Sequence, residues 1–179
     1  VFYVGMGLEP QVASYLRDHP SKSRRDLCLA DAVGISVNAV DAHEGHDREE
    51  EGHEHGGVDP HIWLDPSLVA KAIPQIKAAV LAALQESKSP PDSLMHAESA
   101  ASKLQSDLAA FDDQSKAMLT SLSGREIVTH HAAWGRFAEH FGLKVAAVIR
   151  PIETSESTPD TINKAVAAIK DQGVRAIFV

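Results

Sequence analysis

Histidine is the residue type whose placement in this chain invites chemistry. Ten are present, and those of interest fall into three settings. The first is Asp59-Pro60-His61-Ile62-Trp63-Leu64-Asp65-Pro66, where two prolines stiffen the backbone around His61 and a helix is expected to open immediately afterwards. An imidazole on so rigid a segment is pre-organised, which metal binding rewards. The competing reading is a histidine that packs or hydrogen-bonds at a helix start. The second setting is Thr129-His130-His131-Ala132-Ala133-Trp134-Gly135-Arg136-Phe137, at an expected junction of strand and helix. Ligands of open parallel sheets gather beyond the carboxyl ends of the strands. A helix N-terminus also disfavours imidazolium and keeps the ring neutral for a metal. One of the pair His130 and His131 is the candidate, and the spacing alone does not choose between them. The third setting holds His43, His46, His53 and His55 within thirteen residues, interleaved with Glu44, Asp47, Glu49, Glu50, Glu51 and Glu54. Such a stretch binds zinc, copper or nickel weakly and without selectivity; otherwise it is a charged, solvated linker.

Two enzyme readings fail on spacing. His43-Glu44-Gly45-His46 lacks the four-residue histidine separation of a zincin helix and has no apolar face beside it. There is no Gly-x-Ser-x-Gly turn, phosphate loop or Gly-x-Gly-x-x-Gly. The single cysteine, Cys28, excludes an internal disulfide and a cysteine-based zinc cluster, and between Leu27 and Leu29 it reads as a small buried apolar residue. A net charge of −8, with no dense Lys/Arg face, argues against nucleic acid as a partner. The chain has 179 residues and is 44% hydrophobic, enough for one large or two small cores. No apolar run approaches the ~18 residues of a membrane span.

The elements that must position these histidines follow from periodicity and breakers. Val1–Val4 reads as a strand, Glu9–Arg17 as a short helix closed by Pro20, and residues 24–40 as strand and turn. Residues 41–57 hold nothing that forms a core and read as a loop. Asp65 suits an N-cap and Pro66 the first helical position, after which Val69, Ile73, Ile76, Val80 and Leu84 form one apolar stripe. Pro74 predicts a kink in that helix. From Asp92 to Leu122 a second stripe comprises Leu94, Ala97, Ala101, Leu104, Leu108, Phe111, Met118 and Leu122. A helix of about 30 residues is ~45 Å long, and it fits a strut between two lobes as well as one member of a bundle.

Beyond Gly124, strand (Glu126–Thr129), helix (His131–Phe141, stopped by Gly142), strand (Lys144–Ile149), helix and strand (Arg175–Val179) alternate. Thr158 and Pro159 open the last helix, with Ile162, Val166 and Ile169 inward. The pattern predicts a parallel sheet covered by helices. The core-like strands at both ends make the chain read as an internal fragment.

In these residues the chain resembles the zinc/manganese group of solute-binding proteins that serve ABC importers, and its zinc-uptake branch in particular. The resemblance rests on three signs in order: Val1–Glu9 (VFYVGMGLE), the His- and acid-rich loop followed by Asp-Pro-His-Ile-Trp-Leu-Asp-Pro, and His131-Ala-Ala-Trp-Gly-Arg-Phe before Gly142-Leu143. It implies two α/β lobes with parallel sheets covered by helices, joined by one long rigid helix. Residues 1–90 would be part of the N-terminal lobe with the His-rich loop 41–57, residues 91–122 the connecting helix, and residues 123–179 part of the C-terminal lobe. It also implies that His61 and His131, rather than His130, are tight zinc ligands, one from each side of a cleft. The manganese branch generally carries glutamate at the position of His131. A histidine upstream of Val1 and a carboxylate downstream of Val179 would complete the shell. Pro74 and Arg150-Pro151-Ile152-Glu153 depart from the family pattern. The implied function is extracytoplasmic capture of Zn2+ by a non-enzymatic monomer. That protein is periplasmic or lipid-anchored, and it delivers zinc to the membrane permease of an ABC zinc importer. A manganese or mixed-metal binder of adhesin-like type, and a buffer acting through its loop, are the alternatives.

Overall fold

Two separate parallel sheets organise the chain, and a computed structural model describes their surroundings over residues 1–35, 59–151 and 156–179. The chain divides into two compact units, Val1–Pro60 with Leu68–Ser106, and His61–Ser67 with Asp107–Val179.

In the first unit, β1 (Phe2–Tyr3) pairs in parallel with β2 (Leu27–Cys28), placing Tyr3 opposite Cys28. The turn after β1 is closed by Glu9, whose carboxylate accepts from the backbone N–H of Val4 at 3.0 Å and of Gly5 at 3.1 Å. Gly5 sits at φ +87°, and a Cβ there would lie 2.5 Å from Cys28 Sγ, so both backbone and packing require glycine. Helix α1 (Pro10–Asp18) follows, within a residue of its expected bounds. After β2 the chain departs from the expected turn and forms a one-turn helix, α2 (Leu29–Ala32). Two alanines favour helix there, and Asp31 lies in its first turn, where a negative charge meets the positive end of the dipole. Among the described residues of this unit, Leu16, Ala30, Val33, Ala72 and Ile73 are the buried apolar ones.

Helix α3 (Pro66–Glu86) runs unbroken through Pro74, which is exposed. Contrary to the sequence expectation, α3 is long and apolar enough, with mean hydropathy 1.4 over 18 residues, to cross a membrane by length and composition alone. The proteinaceous surroundings are visible in Lys71, whose ammonium donates to the Val33 carbonyl at 3.3 Å.

Helix α4 (Pro91–Leu119) continues as a 3₁₀ turn, Thr120–Leu122. These bounds lie within a residue of the periodic stretch from Asp92 to Leu122, but its apolar stripe is not a core stripe. No residue of α4 is buried, and Leu104, Phe111 and Met118 are exposed, Met118 by 80%. Periodicity reports which face of a helix is apolar, and it carries no information on what covers that face.

The second unit is built on β3 (Glu126–His131), β4 (Lys144–Arg150) and β5 (Ile177–Phe178), all parallel in the order β4-β3-β5. The strands alternate with α5 (Gly135–Phe141) and α6 (Pro159–Asp171). Side chains of neighbouring residues on β3 point to opposite faces. Accordingly Val128 packs with Ala147, Ala165, Ala168 and Val174, whereas Ile127 packs with Ala138 and Leu143. Helix α5 ends at Gly142, whose φ of +73° is the left-handed stop expected there. Thr158 caps α6 reciprocally with Thr161, its Oγ1 accepting from the Thr161 N–H at 3.2 Å. The inward face of α6 differs from the expected one. Ala165 and Ala168 are buried, while Ile162, Val166 and Ile169 are exposed. Alanines let a helix approach a sheet closely, so the small face turns inward and the branched residues lie beside it.

One core residue breaks the apolar rule. Thr129, on β3, is 1% exposed, and its Oγ1 has no hydrogen-bond partner among the described residues. A buried hydroxyl left unpaired costs about 1–3 kcal/mol. Thr129→Val, which keeps the shape and removes the hydroxyl, is expected to raise the urea midpoint of unfolding by an amount equivalent to ~1 kcal/mol. An unchanged or lower midpoint would show that the hydroxyl is paired in solution.

Candidate metal centre

His61 precedes a 3₁₀ turn, Ile62–Leu64, and its carbonyl accepts the Leu64 N–H at 3.1 Å. Ile62 is buried and anchors the turn. Asp65 then opens α3 as expected, its Oδ1 accepting from the Ser67 N–H at 2.8 Å and from the Ser67 hydroxyl at 2.6 Å. The backbone on either side of His61 is therefore held by a proline, a buried anchor and a cap within a few residues.

His131 is the last residue of β3, in register with Arg150 of β4. Its carbonyl accepts from the Ala133 N–H at 2.9 Å in the turn leading to α5. The expected helix start at His131 is thus corrected. Helix α5 begins at Gly135 and is seven residues long, so His131 does not lie at its N-terminus. What remains of the expectation is the position beyond a strand's carboxyl end.

The structure brings His61 and His131 together, with ring centroids 5.8 Å apart and planes at 73°, both in the second unit. A zinc–nitrogen bond of ~2.0–2.1 Å places a ring centroid about 3.2 Å from the ion. Two rings sharing one tetrahedral ion then lie about 5.2 Å apart, and 5.8 Å requires only a modestly wider angle. His130 faces the other side of the strand, with its ring 6.4 Å from that of His131. Trp63 meets His61 edge-on at 5.1 Å. Among the described residues, no group of three or more His, Cys, Asp or Glu converges in a way that could hold a metal. His43, His46, His53 and His55 lie outside the described residues.

A cluster that the sequence did not announce lies in the same unit. His140, in the last turn of α5, places Nδ1 3.1 Å from Asp65 Oδ1 and Nε2 2.6 Å from Asp112 Oδ1 of α4. The Lys116 ammonium donates to Asp112 Oδ2 at 2.7 Å. Burial opposes ionisation of Asp112, yet the hydrogen bonds from Lys116 and His140 outweigh it and hold this carboxyl below the usual range. The Asp112 hydrogen bond in turn pushes Lys116 up. No spacing rule connects residues 65, 112 and 140, so only the folded chain reveals them.

The chain that carries these two motifs matches a known family. The model of the zinc-uptake complex component A, periplasmic, covers residues 1–179. The chain belongs to that family. A high-affinity zinc uptake system protein, ZnuA, of Paracoccus denitrificans (strain Pd 1222) is 32% identical over 122 residues, 68% of this chain and 36% of the relative. The ZnuA of Bacillus subtilis (strain 168) is 27% identical over 173 residues, 93% of this chain and 52% of the relative. This family member thus spans about a third to a half of these curated relatives. The solved periplasmic zinc-binding protein TroA from Treponema pallidum superposes with a TM-score of 0.73 at 21% identity, over 98% of this chain and 57% of that one. The α/β fold with helix-covered parallel sheets is therefore the fold of this family of zinc-uptake components, whose description is extracytoplasmic.

Proposed function

We propose that the protein captures zinc outside the cytoplasm and delivers it to the membrane permease of an ABC importer, without catalysing a reaction. The observation that carries this reading is the pair of imidazoles from two distant motifs with centroids 5.8 Å apart. Neutral nitrogen donors favour zinc, whereas manganese favours carboxylate oxygen. Family membership and the zinc-uptake names of the relatives support the same cargo. His61 and His131 supply two ligands, and the rest of the shell comes from outside the described residues. A shell closed by protein donors holds the ion tightly and leaves no open position for an activated water. The protein acts as a monomer, either free or tethered by a lipid. The histidines at 43, 46, 53 and 55 gather zinc loosely and are not the tight site.

A competition titration tests cargo and site together. Zinc is expected to displace manganese from the full-length protein, and deletion of residues 43–55 is expected to leave tight zinc binding in place. Manganese outcompeting zinc would assign the protein to mixed-metal or manganese capture. Loss of tight binding on deletion would assign the function to the loop.

A further inference from the structure

His140 is neither a candidate ligand nor a core residue, yet its side chain is only 11% exposed and each ring nitrogen addresses a different carboxylate. Asp65 belongs to the segment that carries His61. Three residues lie between them, and the 3₁₀ turn is formed by those three. Asp112 belongs to α4, and His140 itself to the helix entered from His131 through the turn at residues 132–134. One imidazole therefore joins the His61 segment, the element after His131 and the second half of α4, all within the second unit.

We propose that His140 is a positioning residue for the zinc pair, its ring bridging Asp65 and Asp112 so that His61 is held at ligand distance from His131. The inference rests on the zinc-site reading above. The chemistry of the bridge favours a histidine. A group bridging two carboxylates needs an N–H donor on each side of a compact, planar frame, which a protonated imidazole ring supplies at Nδ1 and Nε2. Glutamine at the same place would turn its carbonyl oxygen towards one of the two carboxylates. The edge of the His140 ring also meets Phe141, with centroids 4.7 Å apart, which limits its rotation. Asp65 is already fixed by Ser67, and Asp112 by Lys116, so both anchors are braced independently of His140. Groups hydrogen-bonded directly to a ligand typically account for roughly 10–100-fold in metal affinity, and His140, which acts through the segment of Asp65, is expected at the lower end of that range.

The test compares His140→Leu, Asp112→Leu and Asp112→Asn in the full-length protein, with His61→Ala alongside. The readouts are zinc affinity by chelator competition and the visible absorption spectrum of the Co2+-substituted protein, which reports ligand geometry and does not respond to stability. His140→Leu and Asp112→Leu are expected to weaken zinc binding roughly 10-fold and to shift the Co2+ bands. Asp112→Asn keeps an oxygen facing Nε2 and is expected to stay near the parent in both. Should His140→Leu fail to fold, Asp112→Leu gives the same reading, because it removes one acceptor and leaves the ring in place. Parental affinity and spectrum in a folded His140→Leu or Asp112→Leu variant would overturn the inference. If that result came with binding abolished in His61→Ala, the zinc site would stand and only the positioning role would fall. Unchanged affinity in His61→Ala would instead remove the site assignment itself.

Discussion

Alanine at both 61 and 131 is expected to weaken zinc binding by the full-length protein by at least ~100-fold, more than the loss of a supporting residue costs. The two imidazoles stand 5.8 Å apart, close to the separation imposed by one shared ion. Each neutral nitrogen that is removed must be replaced by water, which coordinates zinc more weakly and is not held in place by the fold. The single variants are each expected to fall most of the way, since one ion uses both rings and their effects are not additive. His130→Ala is the informative control. His130 neighbours His131 in the chain but faces the other side of the strand, so its affinity should stay near the parent's. Calorimetry on folded protein, verified by circular dichroism, decides the matter. Parental affinity in the double variant would refute the site, and a loss in His130→Ala equal to that in His131→Ala would show that the strand face is misassigned.

The two candidate zinc histidines lie in stiff local settings that the sequence marks, although the family resemblance, and not the spacing, selects His131 over His130. For His61 the markers are two prolines, a cap and a helix start; for His131 they are a strand run followed by a glycine-stopped helix. Local rules act over a few residues, and both motifs are local. Their convergence is not a local property, and no periodicity measures the 5.8 Å between them. The same limit explains the His140 bridge, whose three members are separated by 47 and 28 residues in the chain. It also explains the helix faces. The stripes on α4 and α6 are real periodic patterns, yet α4 buries nothing and α6 turns Ala165 and Ala168 inward. Burial is decided by what packs against a face, and close approach to a sheet selects small side chains over the more hydrophobic ones. By contrast, the strand–helix alternation after Gly124 translates directly into the β4-β3-β5 sheet, because parallel strands need covering crossovers and the sequence supplies them at the right spacing.

Val128→Asp should be the most damaging single change to the second unit. Val128 is fully buried at the centre of β3, packed with Ala147, Ala165, Ala168 and Val174, and none of these neighbours offers a hydrogen bond or a positive charge. An ionised carboxylate placed there has no partner, so it must either remain charged at high cost or take up a proton. Leaving a buried charge without a partner costs about 3–5 kcal/mol, against a total of about 5–15 kcal/mol for a domain. The expected outcome is a steep fall in thermal midpoint. The deficit should narrow as the pH is lowered, because only the neutral form of the new side chain is tolerated and acid supplies the proton. Val145→Asp is the matched control. Val145 is paired with Ile127 on the neighbouring strand but exposed, so water can solvate the charge and the midpoint should move little. Since β3 ends in His131, unfolding this unit should abolish zinc binding in Val128→Asp while Val145→Asp retains it. Equal destabilisation by the two substitutions would mean that Val128 does not sit in a closed core, and that the sheet does not hold His131 in the way described.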